Sequence, residues 1–447
     1  MRKLWHGVAA TAALGLLVAG CSDPGTGDEP DTGTDGGDAA TSDERWPDPT
    51  ADLSGVTLTL WAAQSSSTIA EQPIAAFEEA TGATVEVVTI PDPYEQGVQT
   101  RVATGDMPDL AFWQPTSSML TAINATSNLQ SLEGAPWVEE IEPELQDITG
   151  ILDDTRYAAL ITSPAVMGVY YNKDVFAEAG IEEIPGSFEE LTEVARQIEE
   201  QGTTPFFEMA GDRWATQWWV QVLLADAAQD GLWERINSGE EKFTDEAVVT
   251  AIQTYKDLID EGLFNEDVAT ATFEEQGDAL LAGDAAMAVQ INALYGQLVA
   301  KADAATVDET IGFFPISPSG NVATYIPDQA NALVAFATGD EEQEAAARQF
   351  LAFWMGPNYA DFIADQQTVS LKSDVPSPDG VPQVLQDVHA SLSNSVGSMQ
   401  SEAVANPDLY LFLSDMVQGG KLTPEEVAQA TQDHFAQLAQ AQGVPGF

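Results

Sequence analysis

Cysteine occurs once in 447 residues, at Cys21, so no disulfide can form within the chain. Histidine occurs three times. Two of these, His389 and His434, lie far from the N-terminus and far apart, and no His-Glu-x-x-His pattern exists. That disfavours a zinc site and a histidine-based catalytic triad. Gly-x-Ser-x-Gly is missing, which removes the usual nucleophile elbow, and no Walker A pattern is present. Lysine and arginine total 15 against 72 Asp and Glu, a formal net charge of −57. Phosphate binding needs clustered cations, so nucleic acid is set aside as a partner, and ionic attraction to anionic lipid with it. The acids spread through the whole chain, the pattern of a solvated surface suited to salty surroundings. No apolar run is long enough to span a bilayer comfortably, and no internal repeat of fixed period is found.

What is present begins with Arg2 and Lys3, followed by an apolar run over residues 8–19 broken by Thr11. A short positive start and a run of this length read as a secretory signal peptide. The run ends Leu17-Val18-Ala19-Gly20-Cys21, which looks like a bacterial lipobox. Residues 1–20 are therefore expected to be a lipoprotein signal peptide and Cys21 the site of lipid attachment. Acyl chains contribute about 0.8 kcal/mol per buried CH₂, and two or more give stable anchoring. The expected location is the extracytoplasmic face of a bacterial cell membrane. Residues 21–52 are rich in Asp, Gly, Thr and Pro and are expected to form a disordered acidic tether.

The remaining chain has the apolar content for a real core, with ten Trp. Strand-like runs at 58–61, 85–88 and 109–113 alternate with helical patterns, a β-α-β-α-β rhythm that predicts an α/β, doubly wound sheet. Further strands are expected at 287–291, 311–314 and 332–336. Helices are expected at 214–228, 245–261, 273–281 and 342–354. Ser187 with Glu190, and Thr423 with Pro424 and Glu426, read as capped helix starts. In such sheets ligands meet the loops at the carboxyl ends of strands.

Several stretches carry a family resemblance. They are Phe77-Glu78-Glu79-Ala80-Thr81-Gly82 before a strand and Ala103-Thr104-Gly105-Asp106-Met107-Pro108-Asp109. Others are Gly168-Val169-Tyr170-Tyr171-Asn172-Lys173-Asp174 and Gly283-Asp284-Ala285-Ala286-Met287. In this order and spacing the chain resembles the extracellular solute-binding lipoproteins of carbohydrate ABC importers, family 1, similar in plan to maltose-binding protein. One departure is Phe188, where the family usually has Trp. The resemblance covers roughly residues 58–442. It implies a two-lobed, periplasmic-binding-protein-like (type II) fold with hinge crossings. Lobe 1 would hold 53–161 and 313–354, and lobe 2 would hold 163–311 and 356–447. It further implies a monomer that needs no cofactor or metal, is not an enzyme, and closes on a carbohydrate. That ligand would pass to ABC permease subunits in the membrane, reached through the lipid anchor.

A sugar offers C–H faces for aromatic rings and hydroxyls for carboxylates and amides. Candidate ligand contacts at strand ends are Trp61, Gln64 and Ser65 after the first strand, and Trp113 and Gln114 after the third. The others are Asp212 and Trp214 at a helix start, Asn292 and Tyr295 after 287–291, and Tyr325, Asp328 and Gln329 in a loop containing Pro327. The resemblance places the loop of Trp113 in the cleft and a stacking aromatic near Asn292 and Tyr295. Glu208 and Tyr410 are weaker candidates, and Trp218 and Trp219 read as packing. Two other readings stay open: the same fold holding a polyamine or other cation, and a secreted glycosidase using a carboxylate pair.

Overall fold

In the computed structural model the described residues are 46–447 apart from 92, 421 and 445. Cys21, the expected signal peptide and most of the expected tether lie outside them. Residues 46–52, expected to belong to the tether, are instead packed on the first lobe. Trp46 is buried, its indole N–H donates to the Glu133 carbonyl (3.3 Å), and its ring meets Trp137 edge-on at 4.9 Å. Gln349 Nε2 holds the Ala51 carbonyl at 2.8 Å. The indole and the two prolines at 47 and 49 supply apolar surface and fixed φ in an otherwise polar stretch, which offsets the entropy of ordering it.

The strands, in chain order, are β1 (Thr57–Ala62), β2 (Thr84–Thr89), β3 (Leu110–Phe112), β4 (Ile151–Leu152), β5 (Thr155–Arg156), β6 (Ala158–Leu160), β7 (Ala165–Asn172), β8 (Thr204–Phe206), β9 (Ala285–Gln290), β10 (Ile311–Phe314), β11 (Ala323–Ile326), β12 (Ala332–Ala335) and β13 (Ser395–Gly397). One sheet runs β2-β1-β3-β12-β6, and a second runs β13-β11-β7-β9-β8 with β10 also paired to β7. β4 and β5 form a small hairpin.

In the first sheet β1 pairs in parallel with β2 and β3, while β12 is antiparallel to β3 and β6. Both faces are covered, and the period of two along β1 divides its side chains between them. Leu58 and Leu60 join Phe77, Phe350 and Trp354 on one face, and Trp61 joins Tyr94, Trp113 and Phe336 on the other. Helix Glu71–Thr81 buries Pro73, Phe77 and Thr81, four residues apart, and ends at Gly82 in the left-handed conformation (φ 74°).

The second sheet is built around β7, which pairs antiparallel with β9, β10 and β11. Gly168 and Gly312 fit this ladder because a Cβ on either would strike an aromatic ring, Phe313 for Gly168 and Tyr171 for Gly312. This overturns the expected return to the first lobe at residue 313. β10 and β11 stay in the second sheet, and the chain re-enters the first through residues 327–331. The expected exit at 356 is also too early. Helix Tyr359–Gln366 packs on helix Glu71–Thr81, Gln72 and Asn358 exchange two amide hydrogen bonds (3.1 and 3.0 Å), and Glu142 N donates to the Leu371 carbonyl. Long-range ladder and amide bonds, absent from local periodicity, decide both boundaries.

Two of the three crossings lie side by side: 161–164 between β6 and β7, and 327–331 between β11 and β12; the third runs from Leu371 to helix Gln383–Ser391. Asn331 ties the first two, with Nδ2 donating to Thr162 Oγ1 and the Ser163 carbonyl, both at 3.0 Å.

Candidate binding site between the lobes

The loops that leave β1 and β3 end on the 327–331 crossing. Ser66 Oγ donates to Gln329 Oε1 (3.0 Å), while Gln329 Nε2 reaches Ser65 Oγ (3.4 Å). Ala63 N donates to Ser66 Oγ, which fixes the hydroxyl from below. Gln114 Nε2 holds the Pro327 carbonyl at 2.9 Å. Asp328 caps the short turn Gln329–Asn331 by accepting from Ala330 N (3.0 Å). It stays open to solvent, while burial of its surroundings raises its pKa from the usual carboxylate value, against the hydrogen bond from Ala330 N. Gln64 and Ser65 are exposed beside it and Gln114 is half-buried. Ser65, Gln114, Asp328 and Gln329 are thus brought together.

On the second lobe the chain turns sharply at Arg213, which has φ 63° and ψ −53°, a strained state for any residue with a Cβ. Asp212, exposed, accepts from Phe273 N at 2.7 Å and so fastens this turn to the start of helix Phe273–Ala282. Trp214 is half-buried, edge-on to Phe273 (5.2 Å) and Trp218 (6.0 Å). Beneath it runs a directed chain of amides. Met399 N donates to Gln221 Oε1, Gln221 Nε2 to Gln400 Oε1 (2.6 Å), Gln400 Nε2 to Gln217 Oε1 (2.5 Å), and Gln217 Nε2 to the Trp214 carbonyl (3.0 Å). Each amide has its orientation set by its neighbours, so the wall under Trp214 is rigid. Helix Met399–Glu402, which carries Gln400, approaches helix Ser117–Ala122 of the first lobe.

Other expected contacts fall elsewhere. Trp61 (3% exposed) and Trp113 (0%) do not offer a stacking face. Arg101 lies over the Trp61 ring, and the Trp113 indole N–H is spent on the Met119 carbonyl. Both rings point into the core because the face of the sheet they occupy is covered by helix Tyr94–Ala103 and the segment after β3. Tyr325 is buried, its hydroxyl donating to Glu402 Oε1 at 2.9 Å, and desolvation raises the pKa of both groups. Asn292 and Tyr295 are half-buried in a separate cavity of about 300 Å³ at the crossings, with Thr162, Ser163, Asn331 and His389. Asn292 Oδ1 accepts from Val166 N at 3.1 Å. Glu208 lies under the second lobe, accepting from Met209 N and Tyr255 Oη, and burial pushes its pKa up to about 7.

Residues that sequence reasoning missed are Ser66, Arg213, Gln217, Gln221 and Gln400. Gln217 and Gln221 had a signal: two amides at i and i+4 on a helix that is otherwise apolar and fully buried. A larger cavity of about 830 Å³ lies where Trp46 and Trp137 meet, but no second-lobe residue lines it, so movement of the lobes cannot close it. Among the described residues no acid, His and Cys cluster could hold a metal ion, and no helix is long and apolar enough to cross a membrane.

Solved structures share this fold. The Streptococcus pneumoniae protein RafE, in an apo-form structure, superposes with a TM-score of 0.71 at 19% identity, over 88% of this chain and 99% of that one. A chitin oligosaccharide binding protein gives a TM-score of 0.68 at 20% identity, over 86% and 99%. The osmoprotective compounds-binding protein GgtB of Synechocystis is 24% identical over 196 residues, 42% of this chain and 46% of that protein. The chain thus spans about half the length of the curated relatives it matches. The model of the bacterial extracellular solute-binding proteins matches residues 62–361, from the end of β1 into the first turn of helix Tyr359–Gln366, with the crossings at 161–164 and 327–331 included. With two sheets joined by paired crossings and two thirds of its length matched, the chain belongs to the bacterial extracellular solute-binding protein family.

Proposed function

We propose that the protein captures a sugar or oligosaccharide between its lobes and delivers it to an ABC-type membrane importer. Cys21 would tether it by lipid to the outer face of the cell membrane. The observation that carries this reading is the set at the crossing. Ser65, Gln114, Asp328 and Gln329 gather hydroxyl, amide and carboxylate groups at the crossing where two lobes meet, and the second lobe adds a half-buried Trp214 on its amide chain. Hydroxyl-rich ligands suit such a set, and the face of an aromatic ring suits their C–H groups. RafE, a structural neighbour, has been solved with raffinose, and a further neighbour, the GacH receptor of Streptomyces glaucescens, with acarbose. The protein acts by binding and not by catalysis, as a monomer. Lobe rotation about the crossings shifts an existing equilibrium toward a closed form.

A thermal-shift screen of mono- and oligosaccharides, with spermidine in parallel, tests this. A ligand at about 100 times its Kd stabilises by about 2.7 kcal/mol, a shift of several degrees. The expected outcome is a shift with a sugar that chromatography then recovers intact. A shift with spermidine alone points to a cation binder, and a cleaved sugar points to an enzyme. Either result would overturn the reading.

A further inference from the structure

His389 sits at the crossings but makes no contact with the proposed capture set. Its helix, Gln383–Ser391, packs on β10 and β7 of the second lobe. The imidazole is nearly enclosed, its side chain 12% exposed. Nδ1 lies 2.7 Å from Ser163 Oγ, in the first crossing. Nε2 lies 3.2 Å from Glu142 Oε2, which belongs to the first lobe. The Glu142 backbone is itself held, its N–H donating to the Leu371 carbonyl at 2.9 Å. One side chain therefore joins the second lobe, the first lobe and the segment about which they turn. The 300 Å³ cavity beside it, walled by Ile69 and Asn331 on one side and Asn292 and Tyr295 on the other, leaves room for this contact to lengthen.

The chemistry of the pair depends on one proton. A neutral imidazole can donate from Nε2 to Glu142 only while Nδ1 accepts from Ser163 Oγ. An imidazolium donates from both nitrogens, and its bond to the carboxylate then joins opposite charges, stronger than the bond the neutral ring makes. Imidazole is the side chain whose ordinary titration falls between pH 5 and 8. The surrounding charges come from every neighbouring element. Asp387 shares the helix, and Asp308 accepts from Gln383 N at its start. Lys173 donates to the Asp308 carbonyl, the Lys372–Glu140 pair lies in the same part of the first lobe as Glu142, and the Tyr295 phenol lines the cavity.

We infer that His389 is a pH-responsive latch between the lobes. Protonated, it grips Glu142 and holds the interlobe arrangement described above. When the ring loses its proton the grip weakens and the first lobe is freed to turn about the crossings.

The test is a distance measurement in the ligand-free full chain carrying Cys21→Ser, with spin labels at Glu79→Cys on the first lobe and Glu425→Cys on the second, both exposed. The parent should give one dominant distance at pH 5.5 and a second population at pH 8.5, with at least a fivefold change in their ratio. His389→Gln and Glu142→Gln should each abolish that pH response. His434→Gln, whose histidine pairs with Asp408 inside the second lobe, should retain it. A parent ratio that does not move with pH, or a His389→Gln protein that moves as the parent does, would overturn the latch. No sugar enters the experiment, so its failure leaves the capture reading untouched, and failure of the sugar screen leaves the latch standing.

Discussion

Trp113 shows how one residue can be placed correctly in the chain and wrongly in space. Its position at the end of β3 is as expected, but its ring is closed off on every side and its indole N–H is satisfied within six residues. Trp113→Ala should therefore act on stability, costing about 3–5 kcal/mol. Urea unfolding checks this: a midpoint equal to that of the parent would restore the stacking role. Glu208 makes a second prediction at this scale. Desolvation raises its pKa from 4.5 to about 7, against the opposing hydrogen bonds from Met209 N and Tyr255. A carboxyl whose folded pKa is raised stabilises most below its unfolded value, and that contribution is lost as pH rises through the folded value. The loss between about pH 4.5 and 7.5 is on the order of 3 kcal/mol. Glu208→Gln should show a flatter stability profile over this window, with its advantage over the parent growing toward pH 8. Equal pH slopes in chemical denaturation would show that the carboxylate is solvated after all.

Among the elements, those specified within a few residues were the ones legible in the sequence. β1 was visible because Leu58, Leu60 and Trp61 alternate between two buried faces. The start of helix Pro424–Gln442 was visible because Thr423 and Glu426 satisfy each other's backbone N–H groups. At Ser187 the reading was half right. Ser187 accepts from Glu190 N, but Glu190 Oε2 reaches past it to Gly186 N. The helix expected at 214–228 is a short 3-10 turn, Trp214–Thr216, then two helices, Gln217–Leu223 and Ala225–Gln229. Partners distant in sequence were not legible. Nothing near residue 311 announces that β10 will pair with β7, some 140 positions earlier. Nor does anything near Gln400 announce Gln217 and Gln221. The candidate site was legible to the same degree: strand ends pointed to Ser65, Gln114, Asp328 and Gln329, which the structure brings together, whereas the amide chain under Trp214 needed the tertiary fold.

The whole molecule carries a net charge of −57. Arg101, Arg156, Arg196, Arg235, Lys256, Lys301 and Lys372 each pair with an acid, which leaves most of the 72 carboxylates with no cation to face. Two effects of salt then compete. Screening weakens the surface ion pairs, which contribute little in any case. It also weakens the mutual repulsion of the unpaired acids, which works against the compact state and is summed over far more groups. The Debye length falls from about 30 Å at 0.01 M to about 3 Å at 1 M, shorter than the spacing of most surface charges. Repulsion should dominate, so the unfolding temperature should climb steadily with NaCl across this range. Salts and sugars excluded from the surface also favour burial, so sucrose at matched osmolarity serves as the control. A rise that sucrose reproduces in full would assign the effect to exclusion. An unfolding temperature that falls with NaCl would mean that the few ion pairs outweigh the repulsion, and that the acidic surface is neutral toward folding.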